Sequence, residues 1–301
     1  MDFGVSLVDP KLAPSELTRV AVEAERLGFT SLWTNESTSR DAFVTLTGWG
    51  HATSKARLGT GVCPIYNRPP LTAAMAAATL AESVGTGRVL LGIGAGHSAL
   101  GRQFGNDRIS GVAGVEEYLT VVKGLLSGET VEHHGEHIHL EGARLGLPAA
   151  GEIPVVLAAL GPRMAGVAAR SADGVLLNWS GPDQLTAASL ELRAKVGERP
   201  FRLAAYVRVA CHPDGSRARD ALAAELASYL RLPDYRSHME RQGFDPSAVD
   251  PGAVGIAGDP QEVSQRLEEY RHLPIDELVV RPVPVGDAGV GAAVAAAAPL
   301  G

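Results

Sequence analysis

The sequence predicts an α/β fold, a closed (β/α)8 barrel in one domain spanning residues 1–301, and three observations point to it. Roughly eight short apolar runs alternate with helix-period segments, the count of strand–helix units such a barrel needs. Several of these runs share a pattern: a helix ends, a turn with Gly or Asp follows, then apolar residues, then a polar one, as from Gly28 to Asn35, Ala172 to Asn178 and Ile275 to Arg281. The first run is followed by Asp9-Pro10-Lys11 rather than by the glycine fingerprint that a doubly wound sheet carries after its first strand.

Taken in order, Phe3 to Val8 is a strand, and Pro14 opens a helix whose apolar spacing runs through Leu17, Ala21 and Ala24 to Gly28. Ser31 to Thr34 is the second strand; a polar stretch and a helix to about Thr53 follow. Arg57 to Val62 is the third strand, then a proline-rich loop and an alanine-rich helix over 71–84. Val89 to Ile93 has no alternation and is bounded by glycine, as a strand buried on both faces would be. A helix is expected from Val112 to Leu126, and a hairpin over 131–140, where residues alternate around Gly135. Further strands fall at 154–159, 173–179, 201–211 and 276–281. Residues 216–256 read as a mainly helical insertion that projects from the body.

Composition narrows the partners. A formal charge of −7 disfavours nucleic acid. The two cysteines, Cys63 and Cys211, form no CxxC and fit a reducing cytoplasm. No apolar run has the length of a membrane span, so a small molecule is the expected partner.

In barrels of this type reactive groups lie on the loops after the strands' C-terminal ends. Those ends supply Asn35 and Glu36; Gly61, Val62, Cys63 and Pro64; Gly94, Ala95, Gly96 and His97; Ala159, Leu160, Gly161, Pro162 and Arg163; Asn178 and Trp179; and Arg281. The set is mostly small residues and main chain, which suits a flat cofactor that carries the hard chemistry itself. Gly161-Pro162-Arg163 puts free N–H groups at a helix N-terminus, a seat for phosphate or simply a cap. Glu36 and His97 are the titratable candidates for proton transfer. Tyr66, Arg68, Trp179, Tyr206 and Arg281 are candidate substrate contacts. His133, His134, His137 and His139 raise a metal-dependent barrel hydrolase as a rival, but they sit on a hairpin rather than at an early strand end, so no metal ligand is assigned.

Five pieces in this order resemble the bacterial luciferase-like flavin and deazaflavin oxidoreductases: 24–33 (AERLGFTSLW), 58–62 (LGTGV), 87–96 (GRVLLGIGAG), 172–175 (ADGV) and 258–263 (GDPQEV). Arg40 to Leu46 is similar to the branch of methylenetetrahydromethanopterin reductase, which uses the deazaflavin coenzyme F-420. The resemblance implies a homodimeric barrel, a cis peptide bond at Gly61–Val62 behind the cofactor ring, a ring-contacting loop at Gly94 to His97 and a phosphate loop at Ala159 to Arg163. It implies hydride transfer between F-420 and a small organic substrate, with FMN-dependent monooxygenation as the alternative. Where deazaflavin enzymes often carry Asp-His this chain has Asn35-Glu36, and where some carry Glu it has His97.

Overall fold

A computed structural model describes residues 1–96, 98–105, 111–147 and 152–299. The strands are β1 (Asp2–Ser6), β2 (Ser31–Thr34), β3 (Arg57–Thr60), β4 (Cys63–Pro64), β5 (Val89–Gly94), β6 (Val131–His134), β7 (His139–Ala143), β8 (Val155–Ala158), β9 (Gly174–Leu177), β10 (Arg202–Cys211), β11 (Gly255–Gly258) and β12 (Glu277–Val283). The helices are α1 (Pro14–Arg26), α2 (Ala42–Ala52), α3 (Pro70–Val84), α4 (Ser98–Gln103), α5 (Gly111–Leu126), α6 (Pro162–Ser171), α7 (Pro182–Val196), α8 (Gly215–Tyr229), α9 (Pro233–Arg241), α10 (Pro251–Val254), α11 (Pro260–Arg271) and α12 (Gly291–Ala296).

Eight parallel strands close into a ring in the order β1, β2, β3, β5, β8, β9, β10, β12, with β12 returning to β1. The barrel predicted from the repeat is therefore present, and the open doubly wound sheet is not. The hairpin β6–β7 stands as a separate two-stranded sheet.

Alternation along each strand divides the side chains between two cores. Trp33, Leu90, Val156, Leu176, Ala204, Tyr206 and Val279 fill the barrel interior. Val5, Leu32, Leu58, Leu91, Val155, Val175 and Leu203 face outward and pack under the helices. Family-like segments turn out to hold loop and helix ends in place. Glu25 accepts hydrogen bonds from the N–H groups of Ser54, Lys55 and Ala56 and so positions the start of β3. Asp259 and Glu262 form a reciprocal capping box on α11.

The insertion differs from the expectation in two ways. Residues 255–258 are a strand, β11, which takes over beside β10 where β9 stops. The helical segment does not project. Ala218, Leu222 and Leu226, at helical spacing on α8, are buried against this extension. Residues 230–232 then break the helix, and α9 turns across the C-terminal end of the barrel.

Candidate active site

The C-terminal ends of the strands open into a cavity of about 1050 Å³. Its wall is built from Asn35 and Glu36 after β2, Gly61, Val62 and Pro64 after β3, Gly94, Ala95 and Gly96 at β5, Ala158 to Met164 after β8, and Asn178 after β9. Tyr66, Tyr206, Arg208 and Arg281 line it as well, and α8 and α9 contribute Glu225, Tyr229, Tyr235 and Arg241.

The back wall is held from inside the barrel. The Gly61–Val62 bond is cis. Gly61 N–H donates to the Thr34 carbonyl at 2.7 Å, and the Gly61 carbonyl accepts from the Tyr206 hydroxyl at 2.9 Å. A Cβ at position 61 would lie 1.8 Å from that hydroxyl, so only glycine lets the two approach. Gly96 is constrained differently: its φ is +63°, and a Cβ there would meet the Tyr66 ring at 2.2 Å.

Glu36 is buried. Its N–H donates to the Val62 carbonyl, and its carboxylate accepts from Asn67 Nδ2 and from Arg68 Nε, each at 3.0 Å. Arg68 also bonds Asp41, the residue that caps α2, and lies over the Phe43 ring. Beside Glu36, the buried Oδ1 of Asn35 has no hydrogen-bond partner among the described residues.

At the start of α6 no side chain caps Gly161, and Pro162 has no N–H, so the N–H groups of the first turn face the cavity end without an intrahelical acceptor. Arg163 is exposed there, and Arg241 of α9 donates to the Leu160 carbonyl. This is a positive, hydrogen-bond-donating corner.

A second part of the wall also carries positive charge. Arg208 is 1% exposed and sits over the Trp179 ring at 4.4 Å and the Tyr229 ring at 5.0 Å. It donates to Asn178 Oδ1. Burial alone would push the Tyr229 phenol up, but the charges of Arg281 and Arg208 outweigh it and hold its pKa below the ordinary 10.0. Burial instead pushes the Tyr235 phenol up to about 12. The α9 segment is pinned here by His238, whose ring nitrogens face the carbonyls of Leu160 and Asn178. Burial pulls this imidazole below its ordinary value.

Most of the residues expected from strand ends thus meet around one hollow: Asn35, Glu36, Gly61, Val62, Gly94 to Gly96, Ala159 to Arg163, Asn178, Tyr66 and Arg281. Three do not reach its wall. Cys63 points outward into the layer beneath the helices, and burial raises its thiol pKa strongly. Arg68 is engaged with Glu36 and Asp41. Trp179 is fully buried under Arg208. His97 lies outside the described residues. Arg208 and Tyr229 were missed; Arg208 was within reach of sequence reasoning, since it lies two residues beyond Tyr206 and so on the same strand face. The hairpin histidines lie away from the mouth. His133 faces Glu117 of α5, and His134 pairs across the hairpin with His139. Among the described residues no group of three or more His, Cys, Asp or Glu side chains converges as a metal site would require.

Comparison with known proteins matches residues 1–277 to the luciferase-like monooxygenase model. The chain is 32% identical over 268 residues to the 5,10-methylenetetrahydromethanopterin reductase of Methanolobus tindarius, covering 86% of this chain and 80% of that one. Among solved structures, the coenzyme F-420-dependent tetrahydromethanopterin reductase of Methanopyrus kandleri superposes with a TM-score of 0.81 at 25% identity, over 98% of this chain and 96% of its own. An F-420-dependent secondary alcohol dehydrogenase bound to an F-420–acetone adduct superposes with a TM-score of 0.76 at 18% identity, over 98% of both chains, a likeness of fold.

Proposed function

This chain belongs to the luciferase-like monooxygenase family, and we propose that within it the protein is an oxidoreductase that transfers a hydride between coenzyme F-420 and a small organic substrate. The observation that carries this reading is that Gly61–Val62, Gly94 to Gly96 and Ala159 to Arg163, on three separate strand ends, wall one cavity. The methylenetetrahydromethanopterin reductases among its relatives support the choice of cofactor.

The residues present fit a planar ring with a phosphorylated tail. Gly61, Gly94, Ala95 and Gly96 present main chain and small side chains to the cavity, as a flat ring needs, and among the described residues Asn35 Oδ1 is a buried acceptor without a donor. The α6 N-terminus with Arg163 and Arg241 would receive the phosphate. Bound there, the deazaflavin supplies hydride donation or acceptance, and the protein supplies binding, orientation and electrostatics. Glu36 is the carboxylate at the β2 strand end placed to hold or take up the accompanying proton at Oε1 or Oε2, with Asn67 and Arg68 fixing its orientation. Tyr235 and Arg241 of α9 line the mouth.

Family membership also motivates a homodimer and a cytoplasmic site of action as parts of the proposal; light scattering on purified protein tests the first. Among the described residues no helix is long and apolar enough to cross a membrane. The cofactor reading is tested by titrating purified protein with oxidised F-420 and, separately, with FMN. Saturation by F-420 at one equivalent per chain is expected. Tight FMN binding with no response to F-420 would overturn it in favour of the monooxygenase alternative.

A further inference from the structure

Arg208 and Arg281 are register partners on the adjacent strands β10 and β12. One alternation below them, Tyr206 and Val279 face the barrel interior, so both guanidinium groups project into the mouth side by side. Arg208 is buried and Arg281 half-buried, and neither forms a salt bridge with a carboxylate among the described residues, whereas the partly buried Arg68 and Arg202 each do. Arg208 Nε is buried without a hydrogen-bond partner among the described residues. Among the described residues Arg281 has one hydrogen bond, at 3.5 Å to Ser6 Oγ, and lies 5.9 Å from the Tyr206 ring centre. The acid nearest in influence, Glu225 of α8, lines the same cavity and pairs with neither. Buried charge left unpaired is costly, so an anion from outside the chain is the partner this geometry lacks.

We propose that Arg208 and Arg281 form the seat for an anionic group of the substrate, a carboxylate or a phosphate, so that the substrate is an organic anion. The inference rests on reading the mouth as the hydride-transfer site. The cofactor's own phosphate has a different seat, at α6 after β8, and in the ring β9 separates β8 from β10. Two adjacent guanidinium groups can each present paired N–H donors, which suits the planar or tetrahedral oxygens of either anion.

The test uses F-420-loaded protein titrated with succinate, with inorganic phosphate and with neutral succinamide, read by calorimetry and by melting temperature. At least one anion should bind tenfold or more tightly than succinamide and raise the melting temperature; which anion does so separates carboxylate from phosphate. Arg281→Gln should lose at least tenfold in anion affinity while melting no lower than the anion-free wild type, because it removes an unpaired charge. Arg281→Lys should recover part of the affinity. Neither succinate nor phosphate binding more tightly than succinamide, or an Arg281→Gln variant that keeps its anion affinity, overturns the proposal. Displacement of F-420 by the anions, seen in the deazaflavin absorbance, assigns the pair to the cofactor and overturns it too. Failure of F-420 to bind the wild type counts against the cofactor reading alone, and the same titration of the apoprotein then decides the anion seat.

Discussion

The two ends of this barrel treat arginine in opposite ways. At the floor, Glu277 is completely buried and accepts from Ser31, Trp33 Nε1 and Arg202 Nε. Arg202 reaches on to Asp2 at 2.8 Å, and Arg57 meets the same carboxylate at 2.6 Å. Every charge there has a partner within the chain. At the mouth, six residues further along the same strand as Arg202, Arg208 has aromatic faces and an amide but, among the described residues, no carboxylate. The floor is finished by the chain alone; the mouth is complementary to something the chain does not contain. Stability and chemistry are thus segregated to opposite ends, as the barrel architecture allows.

The contrast can be broken most sharply at the floor. Glu277→Ala leaves Arg202 without its buried partner and should cost about 3–5 kcal/mol in urea unfolding. A loss comparable to that of a surface substitution would show that the floor network is dispensable. This is the opposite of the neutral or stabilising effect expected for Arg281→Gln. Next in size is Gly61→Ala, whose methyl would fall 1.8 Å from the Tyr206 hydroxyl. Overpacking there should cost about 1–3 kcal/mol, and displacement of the back wall should weaken F-420 binding at least tenfold. Unchanged affinity would detach that wall from the site. His238→Ala leaves the Leu160 and Asn178 carbonyls without its ring nitrogens and should cost about 1–3 kcal/mol, seen as faster amide exchange in α9; unaltered protection there would mean that His238 is not the pin. The smallest effect concerns pH. Burial raises the Asp2 carboxyl, but Arg202 and Arg57 more than offset it, so its pKa in the fold lies below the ordinary 3.8. Its contribution is present above that value and is lost as pH falls through the folded value. Asp2→Asn should therefore flatten the acid limb of a stability profile, by no more than about 1 kcal/mol because the pair is partly exposed. An unchanged acid limb would remove Asp2 from the floor's balance.

What could be read from the sequence follows the same division. Barrel strands were legible because each is a short apolar run stopped by a polar residue or glycine, and periodicity reports burial directly. The wall of the site was legible because strand ends are positions on a one-dimensional chain: Gly61, Gly94 and Gly161 need only their place after a run of apolar residues. Strand β11 was not, since Gly-Ile-Ala-Gly has one β-branched residue and no alternation. The placement of α8 was partly legible, because Ala218, Leu222 and Leu226 form an apolar stripe that must be covered. The placement of α9 was not. Its buried residues are only His238 and Met239, too few to mark a face, and the carbonyls that hold His238 lie about sixty and eighty residues away in the chain. Trp179 and Arg68 show the limit from the other side. Both follow strands as expected of site residues, yet one faces the packed layer behind Arg208 and the other is taken up by Glu36 and Asp41. Which way a loop side chain turns is decided by partners distant in sequence.

The most direct measurement is a crystal structure of the protein grown with oxidised F-420 and succinate. The expected result is a deazaflavin ring against Gly61–Val62, its phosphate at the α6 N-terminus, and a succinate carboxylate on Arg208 and Arg281. A ring bound elsewhere on the molecule, or a mouth in which the cofactor's own phosphate occupies the two arginines, would contradict the assignment of one end of the barrel to a redox cofactor and an anionic substrate.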